Sequence, residues 1–191
     1  GVAMLDSPSD IMKSTLRFLG RDPNTTKPED VKAAETHLLK IRPYVTYFHS
    51  SKYINDLAGG DICLVLGYSG DIVQARNRAA DAGKKVEVGY VIPKEGAMVW
   101  FDMMAIPADA PHPNNAHAFI NFILTPEVAG AISNTVSYAS PNAKALEFVD
   151  EDLKSDTSVY PSPQVKQRLF PDKTLSPEIE DRKSTRLNSS H

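Results

Sequence analysis

Apolar residues recur at helical spacing in several segments of the chain. The first segment follows Ser7-Pro8-Ser9-Asp10, a capping sequence with proline at the first helical position, and it ends at Gly20. Asp10 therefore has a structural explanation as a capping residue. A helix over residues 114–124 should turn Phe119 and Phe122 towards the core. Further helices are predicted over residues 28–41, just before Gly59-Gly60, and over residues 72–82, 126–132, 143–148 and 163–170.

Apolar runs of strand length lie between these helices. Residues 44–48 and 62–66 form two of them, and the second run is continuously apolar, which is typical of a strand covered on both faces. Its Cys63 is therefore expected in the core. Residues 86–92 alternate between apolar and polar positions and predict a third strand. Because strands and helices alternate along the chain without internal repeats, the pattern favours the α/β class.

One apolar run, over residues 98–106, contains a single charged residue. Bounded by Gly96 and Pro107, this run predicts a buried strand, in which Asp102 needs a cationic or donor-rich partner. On a strand, Trp100 and Asp102 share a face, which places an aromatic ring beside a carboxylate. Such a pair suits an organic ammonium ion. The alternative partner of Asp102 is an arginine or lysine of the protein itself.

Composition and charge exclude some classes of partner. The 191 residues, 41% hydrophobic and 24% charged, are enough for one or two small domains with a sizeable core. A net charge of −3 and a pI near 6.0 argue against nucleic acid as a partner, because phosphate binding relies on clustered basic residues. No apolar run approaches the length that spans a membrane, so membrane insertion is not expected. A single cysteine excludes an internal disulfide.

Both ends of the chain differ from those of a complete protein. The chain opens at Gly1 rather than at a methionine, and we interpret this start as lying inside a domain. Residues 181–191 include a polar, aperiodic run from Arg182 to His191 that resembles translated sequencing-adapter sequence. We therefore interpret residues 181–191 as a non-native tail and exclude them from the predicted fold.

Metal, phosphate and hydrolase sites are weakly supported. His112 and His117 stand five residues apart around a proline, which is a poor spacing for metal ligands, so no metal site and no cofactor are predicted. The sequence has only a weak likeness to a glycine-rich phosphate loop. His49, Ser50 and Asp61 resemble a hydrolase triad in composition alone, because their spacing is unlike a nucleophile elbow. Hydrolysis is therefore a remote alternative.

Carboxylates and aromatic rings lie near the predicted strand ends. The turn at residues 67–71 follows a strand and opens a helix, and in open α/β sheets ligands bind at the carboxyl ends of strands. Capping or core packing explains each side chain singly, including Asp71 as a cap of its helix. Taken together, they suggest a cleft for a cation, with carboxylates for ammonium groups and rings for an alkyl chain. The set comprises Asp10, Tyr68, Asp71, Trp100, Asp102 and Tyr138.

Three long motifs resemble a known family. They are residues 48–63, which run from Phe48-His49-Ser50 to Asp61-Ile62-Cys63, the 67–79 region with its Gly67 to Asp71 turn, and residues 92–97. In order and spacing they closely resemble the periplasmic putrescine- and spermidine-binding subunits of bacterial ABC importers. The resemblance covers nearly all of the chain up to about residue 180.

The resemblance implies an α/β fold with two lobes, the type II periplasmic-binding-protein fold. Residues 1–96 would belong to the second lobe, residues 97–144 would return to the first lobe, and residues 145–180 would come back to the second. The implied function is capture of putrescine or spermidine in the interlobe cleft and delivery to the membrane permease, without catalysis. The implied location is the periplasm, with a signal peptide in the missing N-terminal part. Another small cationic or polar metabolite remains the alternative ligand.

The resemblance also implies seven ligand-binding residues. Asp102 matches the carboxylate that grips one terminal ammonium, and Asp71 matches an acidic position typical of putrescine-binding members. Two positions depart from the family pattern, since Tyr68 stands where tryptophan is usual and Asp10 is shorter than the glutamate often found there. The full set of implied ligand residues is Asp10, Ser50, Tyr68, Asp71, Trp100, Asp102 and Tyr138.

Overall fold

The structure, a computed structural model, describes residues 1–173. The predicted tail over residues 181–191 lies outside the described residues. The described chain divides into two compact units. Among the described residues, the first unit comprises Gly1–Val99 together with residues 163–173, and the second comprises Trp100–Ser162.

A parallel sheet organises the first unit. Strand β1 lies at its centre, with β2 on one side and β3 on the other, and both pairings are parallel. A second, two-stranded parallel pair joins β4 to β5. The elements of the unit are β1 (Val2–Met4), α1 (Pro8–Phe18), α2 (Pro28–Ile41), a 3-10 helix (Arg42–Tyr44), β2 (Val45–Phe48), α3 (Tyr53–Gly59), β3 (Leu64–Leu66), α4 (Ser69–Asp81), β4 (Met98–Val99), α8 (Pro163–Lys166) and β5 (Phe170–Pro171).

Helices cover both faces of this sheet. Because successive strand residues point to opposite faces, the two helix pairs meet different side chains of the same strands. Helices α1 and α2 pack their apolar stripe on one face, where Met4, Phe48 and Leu66 lie. Helices α3 and α4 pack on the other face, where Ala3 and Val65 lie. The unit is therefore a layered α/β structure, as the alternation of elements predicted.

The strands of the first unit differ from the prediction at several points. The sequence pattern did not indicate β1, although it is the central strand. The predicted strand over residues 62–66 is confirmed only from Leu64, and Leu64 is 61% exposed rather than covered on both faces. Cys63 is also exposed instead of buried in the core. Residues 86–92 form no strand, although Val88 and Tyr90 pack against the core.

The helices of the first unit follow the sequence closely. Helix α2 has the predicted bounds, and α1 ends two residues before the predicted stop at Gly20. Helix α4 begins three residues earlier than predicted, because the turn residues 69–71 already form its first turn. The predicted helix over residues 163–170 is confirmed only as far as Lys166, since Phe170 and Pro171 pair with β4.

The second unit is helical in its described residues. Helix α6 (Pro126–Val136) packs closely on a 3-10 helix (Ala143–Phe148), and a Cβ built on Gly130 would lie 2.5 Å from the Cβ of Phe148, so a side chain there would clash. The prediction that Phe119 and Phe122 point inward is wrong, because each is 59% exposed. The elements are α5 (Pro113–Ile123), α6 (Pro126–Val136), a 3-10 helix (Ala143–Phe148) and α7 (Glu151–Ser155). Among residues 1–173, no helix has the length and apolar character needed to cross a membrane.

The predicted buried strand over residues 98–106 is also wrong. Only Met98–Val99 are in a strand, and Phe101 and Met103 are 65% and 89% exposed. An apolar run becomes a buried strand only where backbone partners and a covering layer are present. Residues 101–105 are all exposed, so no such layer covers this part of the run.

Candidate functional site

Three loops come together at one edge of the first unit's sheet. Each loop follows a strand of the parallel sheet and leads into a helix, and the carboxyl ends of parallel strands share one edge. Asp10 follows β1, Ser50 follows β2, and Tyr68 and Asp71 follow β3. The first two loops are joined directly, because the backbone N–H of Asp6 donates to Oγ of Ser50 over 3.0 Å.

Asp10 and Tyr68 form a hydrogen-bonded pair. The Tyr68 hydroxyl donates to Oδ2 of Asp10 over 2.9 Å. Burial, followed by the hydrogen bond and charge of the Asp10 carboxylate, raises the pKa of Tyr68 to about 12, so its hydroxyl stays a donor at neutral pH. The capping prediction is corrected in one respect, since the Ser7 side chain makes no capping bond at α1. Asp10 lies in the first turn of α1, where the helix dipole favours a carboxylate.

Asp71 is held by a residue that the sequence analysis missed. It lies in the first turn of α4, where no side chain caps the helix, and it accepts a 2.6 Å hydrogen bond from the Tyr53 hydroxyl. The same hydroxyl accepts the backbone N–H of Tyr68 over 3.1 Å. Tyr53 lies within the first family-like motif, at residues 48–63. In a sequence, however, an aromatic residue at the start of a helix that orients a neighbouring side chain cannot be distinguished from one that only packs in the core. We call Asp10, Tyr53, Tyr68 and Asp71 the acid–tyrosine cluster.

The other three predicted ligand residues belong to the second unit. Trp100 and Tyr138 are half-buried, whereas Asp102 is exposed. The expected cost of burying Asp102, and with it the need for a cationic partner from the protein, does not arise in this chain. Because residues 100–102 are not in a strand, the expected common face of Trp100 and Asp102 is not imposed by the backbone.

Two residues of the remote hydrolase alternative, His49 and Ser50, make other contacts. Nδ1 of His49 accepts the backbone N–H groups of Ser51 and Lys52 over 3.1 and 3.0 Å, at the start of α3. Ser50 accepts the Asp6 N–H rather than facing His49 Nδ1. His49 therefore stabilises the loop between β2 and α3.

A cavity of about 420 Å³ lies beside the same sheet edge. Its walls come mainly from apolar residues of β1, β2 and α2, including Met4, Leu38 and Phe48, and it contains none of the seven predicted ligand residues. An apolar wall does not compensate an ammonium group for lost water. We therefore place the candidate site at the acid–tyrosine cluster. Among residues 1–173, no group of acidic, histidine or cysteine side chains could hold a metal ion.

Comparison with known proteins identifies the family. The family model of bacterial extracellular solute-binding proteins matches residues 1–161. The chain belongs to this family. The family assignment confirms the resemblance found in the three motifs, and it gives the hydrolase alternative no support.

Two relatives of this solute-binding protein chain are putrescine-binding periplasmic proteins. SpuD of Pseudomonas aeruginosa (strain UCBPP-PA14) is 52% identical over 174 residues, which cover 90% of this chain and 47% of SpuD. PotF of Escherichia coli (strain K12) is 46% identical over 187 residues, which cover 97% of this chain and 50% of PotF. The chain thus spans about half the length of these relatives.

A solved structure supports the same family fold. A spermidine/putrescine ABC transporter protein from Listeria monocytogenes matches with a TM-score of 0.88 and 28% identity, covering 99% of this chain and 56% of that protein. The PotD substrate-binding protein of Streptococcus pneumoniae, at 24% identity and a TM-score of 0.80, matches in fold. The solute-binding protein chain therefore has the α/β, type II periplasmic-binding-protein fold that the motifs implied.

Proposed function

We propose that this chain is part of a periplasmic protein that captures a polyamine, putrescine or spermidine, and delivers it to an ABC permease. One observation carries the proposal: two carboxylates, Asp10 and Asp71, lie with the Tyr68 ring at one edge of a parallel sheet. Supporting it, relatives at 52% and 46% identity are putrescine-binding periplasmic proteins.

The chemistry of a polyamine fits this cluster. Each ammonium group loses water on binding and must recover that energy from charge-assisted hydrogen bonds, which are strongest with ionised acceptors. Asp10 and Asp71 offer such acceptors, and the partly buried Tyr68 ring offers a surface for methylene groups. Where desolvated, a ring adds about 0.5–2 kcal/mol of cation–π attraction. Ser50, at the neighbouring loop, is proposed as a further polar contact.

Three residues of the second unit complete the proposed ligand set. We assign Asp102 to a terminal ammonium and the rings of Trp100 and Tyr138 to the alkyl chain. The resemblance to the polyamine-binding family is also the basis for the proposed division into lobes. Residues 1–96 and 145–180 would form part of the second lobe, and residues 97–144 part of the first. Delivery to a permease requires that the ligand favours one conformation of the protein over the other.

The test uses the full-length protein, by which we mean this chain joined to the half that its relatives carry in addition. Asp71→Asn removes a charge while keeping the size of the side chain, and we expect at least tenfold weaker putrescine binding in isothermal titration calorimetry. A tenfold change corresponds to about 1.4 kcal/mol, a modest value for a charge-assisted contact. The matched control is Asp81→Asn, which removes a carboxylate from the last residue of the same helix and should leave affinity unchanged.

Two results would overturn the proposal. One is an Asp71→Asn variant that binds putrescine as tightly as the unchanged protein. The second result would come from a thermal-shift screen, which compares how much polyamines, sugars and amino acids each stabilise the protein. Stabilisation by another small cationic or polar metabolite, with none by putrescine or spermidine, would replace the polyamine by that metabolite class.

A further inference from the structure

Tyr53 lies beneath the candidate site and is completely buried. It is the first residue of α3, and its exposed fraction is 0%. The backbone of the turn after β3 lies directly on its ring, because a Cβ added to Gly67 would be 2.9 Å from Cε2 and 3.1 Å from Cζ of Tyr53. A substituent at Gly67 would therefore displace the ring, so the glycine allows the turn and the tyrosine to pack this closely.

The Tyr53 hydroxyl joins two of the proposed ligand residues. It donates its proton to Oδ2 of Asp71 over 2.6 Å and accepts the backbone N–H of Tyr68 over 3.1 Å. A phenol has a single proton to donate, so the direction of each bond is set by its partner, since a backbone N–H can only donate. The short bond to the Asp71 carboxylate is of the charge-assisted type, which is stronger than a neutral hydrogen bond.

This arrangement restricts how Asp71 and Tyr68 can move. The bond to Oδ2 fixes the orientation of the Asp71 carboxylate at the start of α4. The bond from the Tyr68 N–H fixes the backbone from which the Tyr68 ring extends towards Asp10. Holding binding groups in place before the ligand arrives lowers the entropy that binding costs. A fully buried side chain is suited to this, because its own position is set by packing.

We propose that Tyr53 is a positioning residue for the ligand: it orients the Asp71 carboxylate through its hydroxyl without touching the ligand itself. The inference rests on the proposed function, because it assumes that Asp71 binds an ammonium group. The inference predicts that the effect of Tyr53 on ligand affinity depends on Asp71. A residue that only stabilises the core would not show this dependence.

A double-mutant cycle in the full-length protein tests this dependence, with putrescine affinity measured by calorimetry. Tyr53→Phe keeps the ring and removes only the hydroxyl, and we expect at least fivefold weaker binding. In the Asp71→Asn background, the same substitution should change affinity by less than twofold, because the carboxylate that it orients is absent and only the neutral bond from the Tyr68 N–H is still lost. The matched control is Tyr47→Phe, which removes a 2.5 Å tyrosine–carboxylate bond to Asp56 in the same unit and should not alter affinity.

The outcomes separate this inference from the proposed function. An equal loss of affinity in both backgrounds, or no loss in either, would overturn the positioning role while leaving Asp71 as a ligand residue. If Asp71→Asn alone leaves affinity unchanged, the proposed function fails and the inference fails with it. Should Tyr53→Phe not melt cooperatively, Gly67→Ala provides the second test, since its Cβ displaces the ring. Its loss of affinity should likewise shrink in the Asp71→Asn background.

Discussion

Replacing Tyr68 by phenylalanine measures how strongly the Tyr68–Asp10 bond stabilises the first unit. The substitution keeps the ring and removes the hydroxyl that donates to Oδ2 of Asp10 over 2.9 Å. A hydrogen bond to a charged group contributes about 1.5–3 kcal/mol to stability. Because Tyr68 is half-buried and water can partly replace the hydroxyl, we expect a loss of about 1.5 kcal/mol at pH 7.

The contribution of Tyr68 should fall at alkaline pH. Burial and the Asp10 carboxylate raise the pKa of Tyr68 from 10.0 to about 12 in the folded protein. Below pH 10 the residue is protonated in both states, and its contribution is complete. Between pH 10 and pH 12 the unfolded chain loses the proton first, so the stability of the folded state falls as pH rises. At pH 11 the loss approaches about 1.4 kcal/mol, which partial exposure reduces to about 1 kcal/mol.

The assay is urea unfolding of the full-length protein, followed by circular dichroism at pH 7 and at pH 11. The difference in unfolding free energy between the unchanged protein and Tyr68→Phe should be about 1.5 kcal/mol at pH 7 and about 0.5 kcal/mol at pH 11. Other tyrosines that titrate late, such as Tyr47 and Tyr90, are present in both proteins and cancel in this difference. Tyr44→Phe, on a side chain 75% exposed, is the control. A difference that is equal at the two pH values, or larger at pH 11, would refute the coupling between Tyr68 and Asp10.

Two further predictions concern the second unit. In the full-length protein, Asp102→Asn should weaken putrescine binding at least tenfold in calorimetry, whereas Asp109→Asn, at another exposed carboxylate, should not; unchanged affinity in Asp102→Asn removes its assigned role. The 191-residue chain by itself should self-associate in light scattering, because Phe119 and Phe122 are each 59% exposed and Met103 is 89% exposed. Replacing both phenylalanines by serine should reduce the association, and a monodisperse, cooperatively melting unchanged chain would contradict the prediction.

Local signals in the sequence were sufficient for most of the helices. Helix α2 has the predicted bounds because Pro28 at its start and Pro43 after its end act on the backbone directly, whatever packs around them. The three family-like motifs were equally informative, since their residues alone indicate the solute-binding family. The wider resemblance to the family also implied Asp10, Ser50, Tyr68 and Asp71, which follow three neighbouring strands.

Burial and pairing depended on tertiary structure. The apolar run over residues 98–106 predicted a buried strand. An apolar run is buried only if another layer covers it, and here Phe101 is 65% exposed. Strand β1 was not predicted because its three residues are too few to show a periodic pattern. It is a strand because β2 and β3 pair with it on both sides.

In the candidate site, the chemical types of the side chains were predictable from the amino-acid sequence: carboxylates, a serine and aromatic rings at strand ends. Which of these side chains contact one another depends on the folded arrangement of the strands and loops. This arrangement paired Tyr68 with Asp10 across 58 positions of sequence and placed the buried Tyr53 hydroxyl against Asp71. Sequence periodicity indicates only which face of an element is apolar, whereas a hydrogen bond between loops depends on how parallel strands align their ends.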